Sequence, residues 1–392
     1  MTGSGIGLYI HVPWCVRKCP YCDFNSYPVP AAMSTDAYVA ALEHDLDVEM
    51  ARLDGRRVTT IFFGGGTPSL FPPATIEAIL DAVHRRLPIA SDAEVTLEAN
   101  PGTIEQGGRF MEYREAGINR VSLGAQTFDS TALRALGRIH TPRDTVRAVE
   151  QIQGAGFDNF NLDLMYALPG QTVAGALRDV HATIALAPTH VSLYQLTLEP
   201  GTAFHARPPR LPAEDETYAM QSECWALLAG SGFERYEVSA FAKPGRECRH
   251  NLNYWRYGDY AGIGAGAHGK VTVAGAVLRT ERIRSPRAYL AAIAAHEDTA
   301  QVSSVGAEDL PFEFMLNALR LRDGFLESEF VVATGLDFAV VEGALERLRT
   351  RGLMARIGSR WLPTTSGFDF LNDLMAEFLP ARGGPLTRST QP

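Results

Sequence analysis

Cys15-Val16-Arg17-Lys18-Cys19-Pro20-Tyr21-Cys22 carries three cysteines on one short stretch, separated by three and then two residues. Soft thiolates at such offsets suit iron, and a tight loop brings them together without long-range closure, so the spacing points to an iron–sulfur cluster. Three protein ligands leave one iron of a four-iron cluster open to an outside group. A zinc site would call for a fourth nearby Cys or His, and the one neighbour of that kind, His11, falls inside an expected strand. The rest of the chain therefore reads as a scaffold for this loop.

The chain has 392 residues, 46% of them hydrophobic, enough for one large barrel and a smaller C-terminal domain. A formal net charge of −9 argues against a nucleic-acid backbone as the main partner, because such binding rests on clustered Lys and Arg. Five cysteines with three bunched together, leaving Cys224 and Cys248, do not form a disulfide framework and point to a reducing compartment. With no basic-plus-apolar leader and no run of about 18 apolar residues, the expectation is a soluble cytoplasmic protein that is not embedded in a membrane.

Through the first half, short β-branched runs alternate with amphipathic stretches, the pattern of βαβ units on a parallel sheet. Six strands are expected at 7–12, 58–63, 94–98, 120–123, 159–165 and 190–196. Tyr38, Leu42, Leu46, Met50 and Leu53 recur at helical spacing between the first two, with Asp36 in the first turn, and read as core. Six repeats without a seventh and eighth imply an α/β fold, a partial (β/α)6 barrel open on one side. The expected domains are 1–205 for the barrel, 206–284 for a capping segment, 285–380 for a C-terminal α+β, winged-helix-like domain, and 381–392 for a disordered tail. Within the capping segment 215–228 reads as a helix, and 236–241 and 270–278 as single strands. In the C-terminal domain Gly358-Ser359 is a two-residue hairpin signal. The run Arg347, Arg349, Arg351, Arg356 and Arg360 reads as a solvated face.

Sites in parallel α/β architectures lie at the C-terminal ends of the strands. The second strand runs into Gly64-Gly65-Gly66-Thr67-Pro68-Ser69, whose glycines let backbone approach a ligand closely, without the Gly-Lys-Ser/Thr ending of a phosphate loop. The third ends at Glu98, a carboxylate able to accept both hydroxyls of a ribose, or else a surface Glu. Past the fourth, Arg138 can pair with a ligand carboxylate through its two-pronged guanidinium. Further on, Cys248-Arg249-His250-Asn251-Leu252-Asn253-Tyr254-Trp255 gathers an imidazole, amides and two large aromatics, groups suited to heme iron and a flat macrocycle, with Cys248 a weaker thiolate candidate. Gly264-Ala265-Gly266-Ala267-His268-Gly269 spells Gly-x-Gly-x-x-Gly but precedes an expected strand, so it is no dinucleotide fingerprint and is expected to pack against the open side of the barrel.

The run Tyr9-Ile10-His11-Val12-Pro13-Trp14-Cys15 through Cys22-Asp23-Phe24 resembles the cluster loop of radical S-adenosylmethionine (SAM) proteins, in the branch that holds oxygen-independent coproporphyrinogen III oxidase and the HemW-type heme chaperones. The His-Asn-Leu-Asn-Tyr-Trp string resembles the heme-associated His-Asn-x-x-Tyr-Trp motif of the chaperones. This resemblance implies a 4Fe-4S cluster on Cys15, Cys19 and Cys22. It implies SAM lined by Tyr9, Gly65, Gly66, Thr67, Glu98, Gln126, Arg138, Asp163 and Thr197, with Tyr21 on the adenine side, and heme contacted by His250. The partners it implies are heme and apo-haemoprotein acceptors, membrane respiratory enzymes among them; the charge leaves no nucleic acid among the expected partners, and the assembly is a monomer or a homodimer. The enzyme of the branch is the alternative: oxidative decarboxylation of coproporphyrinogen III through a 5′-deoxyadenosyl radical. It carries a further cysteine where this chain has Phe24, and a leading segment where this chain has Cys15 almost at its start. A third alternative is a DNA-binding sensor that reads through the terminal unit.

Overall fold

Strand after strand, the side chains alternate between an apolar outer face and a polar inner one, and this two-residue period shapes the molecule. The structure is a computed structural model that describes residues 5–30, 33–103 and 109–380. The first strand, β1 (Ile6–Val12), turns Ile6, Leu8, Ile10 and Val12 into the main apolar core. It is followed by β2 (Val58–Gly65), β3 (Ile89–Ala99), β4 (Arg120–Gln126), β5 (Phe160–Tyr166) and β6 (His190–Gln195), all parallel in that order. Ile61, Phe63, Leu97, Val121 and Leu123 pack outward beneath the crossover helices. All six expected strands are present.

Beyond β6 the chain forms β7 (Glu234–Arg235), β8 (Ala240–Ala242), β9 (Tyr260–Ile263), β10 (His268–Val273), β11 (Ala276–Arg282) and β12 (Ala300–Ser304). The complete sheet runs β12-β11-β10-β9-β1-β2-β3-β4-β5-β6-β8-β7. Its end strands are not neighbours, so the barrel is open. A seventh parallel strand lies beside β1, since β9 pairs Tyr9 with Gly262, a partner 253 residues distant that periodicity does not reveal.

Three expected features take a different form. The stretch 236–241 is not one strand: 236–239 form the turn of the β7–β8 hairpin, with Glu237 accepting from the Ser239 N–H at 3.0 Å, and Ala240 and Phe241 open β8. The stretch 270–278 is divided between β10 and β11 by Ala274-Gly275, both at positive φ, as a tight hairpin turn requires. In the helix Thr35–Leu53, Met50 faces solvent, while Ala41, Asp45 and Glu49 are buried with Tyr38.

The chain divides into two compact units, residues 1–254 with 258–303, and 255–257 with 304–392. The capping segment is thus part of the barrel's own sheet. The boundary falls near 303 rather than 285, because the helix Pro286–Ala294 sends Tyr289 into the barrel core, where its hydroxyl donates to Asp45 at 2.7 Å. The second unit holds the helices Leu310–Ala318, Glu327–Thr334 and Ala339–Thr350 and a three-stranded sheet. Ile357 pairs with Arg360 across the expected Gly358-Ser359 turn. The arginine run is tied within this unit: Arg347 and Arg351 to Glu377, Arg349 to Glu346, Arg356 to Glu327, and Arg360 to the Asp323 carbonyl. The expected tail, 381–392, lies outside the described residues. Among the described residues no helix is long and apolar enough to cross a membrane.

Candidate functional site

The six parallel strands end around one cleft of about 490 Å³, and the loop after β1 forms its lip. That loop is closed on itself: Trp14–Cys15 pairs in parallel with Tyr27–Pro28, and the Lys18 ammonium donates to the carbonyls of Phe24 and Ser26 at 3.0 and 3.2 Å. Lys18 is therefore a tether of the loop. Cys15, Cys19 and Cys22 are free thiols that all line the cleft. Among the described residues no three His, Cys, Asp or Glu groups converge as a single metal ion would require. A four-iron cluster asks for one thiolate per iron on a shared loop, and the three cysteines fit that donor set.

The glycine turn at the end of β2 is sewn to the same loop. Gly66 N–H donates to the Val12 carbonyl and Thr67 N–H to the Trp14 carbonyl, each at 2.8 Å, and the Thr67 hydroxyl lies 3.6 Å from Cys15 Sγ. Gly65 sits at φ +112, and a Cβ at Gly66 would stand 2.5 Å from the Trp14 carbonyl oxygen, so glycine is required at both. The Gly65 N–H donates to Glu98 Oε2 at 3.1 Å. Burial, with Asp163 adding to it and that hydrogen bond opposing it, pushes the Glu98 carboxyl up to about 8.

Arg138 reaches back from beyond β4, donating from Nη2 to the Gly124 carbonyl at 2.9 Å with Nη1 3.7 Å from Cys19 Sγ. Tyr9 stacks on Phe62 and bonds to His11 Nδ1 at 3.0 Å. Asp163 accepts from Asn161 at 2.8 Å and from Ser122 at 3.3 Å. Gln126, Thr197 and Tyr21 line the cleft as well. Every residue that the resemblance assigns to SAM thus borders one space with the three thiols. The Gly264–Gly269 loop packs behind the lip, with Asn25 Nδ2 donating to the Ala265 carbonyl at 3.1 Å and the Gly264 N–H donating to Asp45 at 2.9 Å.

The other chemical stretch closes the opposite, N-terminal end of the strands. The helix Arg249–Trp255 begins against Glu94, whose carboxylate accepts the N–H groups of Arg249 and His250, both at 3.1 Å, a negative charge at a helix N-terminus. His250 lines the floor of the same cleft and is buried, its Nδ1 2.8 Å from the Thr60 hydroxyl and its Nε2 2.8 Å from the Tyr254 hydroxyl. Burial and then the charge of Arg120 lower its pKa to about 3, so the ring is neutral. Cys248 is buried beside Glu94, and burial pushes its thiol up to about 12.

Residues 9–181 match the Radical SAM superfamily, and residues 305–370 match the HemN C-terminal domain. The heme chaperone HemW of Escherichia coli (strain K12) is 47% identical over 375 residues, which cover 95% of this chain and 98% of that protein. The chain belongs to the HemW family. The heme chaperone HemW of Haemophilus influenzae is 41% identical over 379 residues, 95% of this chain and 98% of that protein. A solved structure titled as coproporphyrinogen III oxidase (HemN) from Escherichia coli superposes with a TM-score of 0.81 over 95% of this chain and 90% of that one. At 22% identity, this likeness shows a shared fold. Membership of the radical SAM superfamily implies a 4Fe-4S cluster and SAM, and the thiol loop and glycine turn fit both.

Arg120, Ser122, Asn161, His190 and Ser192 also line the cleft, and sequence reading gave them no role; Asn251, of the His-to-Trp string, lines it too. The signal was present as period-two polarity: 120, 122, 124 and 126 on β4, 161 and 163 on β5, and 190 and 192 on β6 point one way.

Proposed function

We propose that this member of the HemW family is a heme carrier, one that binds heme and hands it to apo-haemoproteins, membrane respiratory enzymes among them. The observation that carries the reading is that the cluster loop and the His-Asn-Leu-Asn-Tyr-Trp helix border a single cleft. Two relatives at 47% and 41% identity are named heme chaperones, which supports it.

In this reading Cys15, Cys19 and Cys22 hold a 4Fe-4S cluster, which, when bound, offers one iron without a protein ligand and a source of single electrons. Tyr9, Gln126, Asp163 and Thr197 line SAM beside it, and Tyr21 lies on its adenine side. The Gly65-Gly66-Thr67 turn meets its amino group, Glu98 its ribose hydroxyls and Arg138 its carboxylate. His250 is the heme contact. Both of its ring nitrogens already face hydroxyls, so direct ligation requires one of them, Tyr254 or Thr60, to withdraw. The cytoplasm as compartment and a homodimer as assembly belong to the same proposal.

The test is anaerobic. Reconstituted protein should take up heme with a shifted absorption band and pass it to apomyoglobin. Conversion of coproporphyrinogen III to protoporphyrinogen IX at a useful rate would replace the carrier with the oxidase. His250→Ala should weaken heme retention and leave the cluster's absorption in place. Unchanged loading removes His250 from the site.

A further inference from the structure

At the floor of the cleft lies a charge for which the protein supplies no counterpart at bonding distance. Arg120 opens β4, is 2% exposed and borders the cleft. Its Nε is buried without a hydrogen-bond partner, and no hydrogen bond or ion pair joins its guanidinium to another described residue. A guanidinium carries five donors in a fixed fork, and leaving them idle in a buried place is costly.

The nearby carboxylates are already engaged elsewhere. Glu94 receives the two N–H groups at the start of the Arg249–Trp255 helix, and Asp163 receives Asn161 and Ser122. They balance the charge of Arg120 at a distance and leave its donors free. Two imidazoles flank it in neutral form: His250, and His190, which lies between Asn161 at 2.6 Å and the Tyr236 hydroxyl at 2.9 Å. Asn251 lines the same floor. The result is a guanidinium fork opening on a chamber, with neutral polar groups and two engaged carboxylates around it.

We propose that Arg120 is the receptor for a carboxylate arm of the cleft's occupant, gripping it in two-pronged fashion at the barrel floor. Resting on the heme-carrier reading, this assigns Arg120 to a propionate side chain of the porphyrin, at the end of the cleft opposite the cluster loop. Arg138, on the lip, is a separate cation and serves the separate carboxylate of SAM.

The experiment compares heme with heme dimethyl ester, which lacks the two charges, on reconstituted wild-type protein and on Arg120→Gln. Wild type should prefer the free acid by about tenfold to a hundredfold, the worth of a charged hydrogen-bonded pair, and Arg120→Gln should bind the two alike. An equal preference in both proteins overturns the assignment. A loss of SAM affinity in Arg120→Gln, with heme preference retained, gives the residue to the SAM carboxylate and also overturns it. Circular dichroism and iron content show whether the variant folds; should it not, Arg120→Lys, which keeps the charge and loses the fork, must show a reduced preference. If wild type binds neither porphyrin, the heme reading fails by itself. The receptor is then judged by glutarate, which should raise the melting temperature of wild type and not of Arg120→Gln; no rise in either overturns it.

Discussion

Replacing Arg282 by Met should unfasten the cluster loop from behind. Arg282 has a fully buried side chain, and its guanidinium holds Asp45 at 2.6 Å, Glu49 at 2.8 Å, the Thr299 hydroxyl at 2.9 Å and the Gly262 carbonyl at 2.8 Å. Asp45 in turn accepts Tyr289 and the Gly264 N–H, and the Ala265 carbonyl of that loop anchors Asn25, three residues after Cys22. One Glu49 oxygen is already without a partner, and burial raises its pKa against the pull of Arg282. Methionine would fill the volume, leave the buried Asp45 carboxylate without a cation and leave Glu49 only Arg52, which holds it at 2.7 Å, a loss of about 3 to 5 kcal/mol. Urea unfolding of the barrel measures it, with iron content after anaerobic reconstitution as the second readout, expected to fall with it. Adding Glu49→Met to Arg282→Met should recover part of the loss, since it removes a buried carboxylate that has lost one of its two arginines. A single variant that loses less than about 1 kcal/mol and keeps full iron would refute the reasoning.

Acid should weaken the fold through its buried histidines. His250, lowered to about 3, and His140, lowered to about 4 by burial and Arg138, stay neutral in the fold but take up protons in the unfolded chain below 6.5. Their contribution is thus complete above pH 6.5 and is lost as pH falls toward 4 and 3. For His250 it reaches at most about 5 kcal/mol, at about 1.4 kcal/mol per pH unit of separation. His250→Gln should flatten the stability profile between pH 6.5 and 4 relative to wild type, as read by thermal melts, and an unchanged slope would count against it. SAM should bind more tightly as pH rises from 7 to 9, because Glu98 ionises near 8 and a charged carboxylate is the better acceptor for hydroxyls. Calorimetry on Glu98→Gln should show weaker binding without that pH trend. Gly66→Ala forces a Cβ against the Trp14 backbone and should abolish SAM binding while destabilising the barrel by about 2 kcal/mol or more; wild-type affinity would contradict this.

The linear chain declares what depends on local spacing. Cysteines separated by three and two residues, a triple-glycine turn and a six-residue His-to-Trp string are short-range patterns, and each lands on the cleft. The six strands are equally legible, because apolar alternation is imposed by the pleat itself. Only the folded structure decides which distant segments share a space. That β9 joins β1 and that Tyr289 belongs to the barrel follow from contacts between residues more than 200 apart in the chain. It also decides which charges go unmatched. Asp45 and Arg282 look alike in sequence to many exposed neighbours, yet they form a buried pair 237 residues apart. Arg120 is an ordinary strand residue until the sheet curves and buries it on the inner face, where its Nε finds no partner.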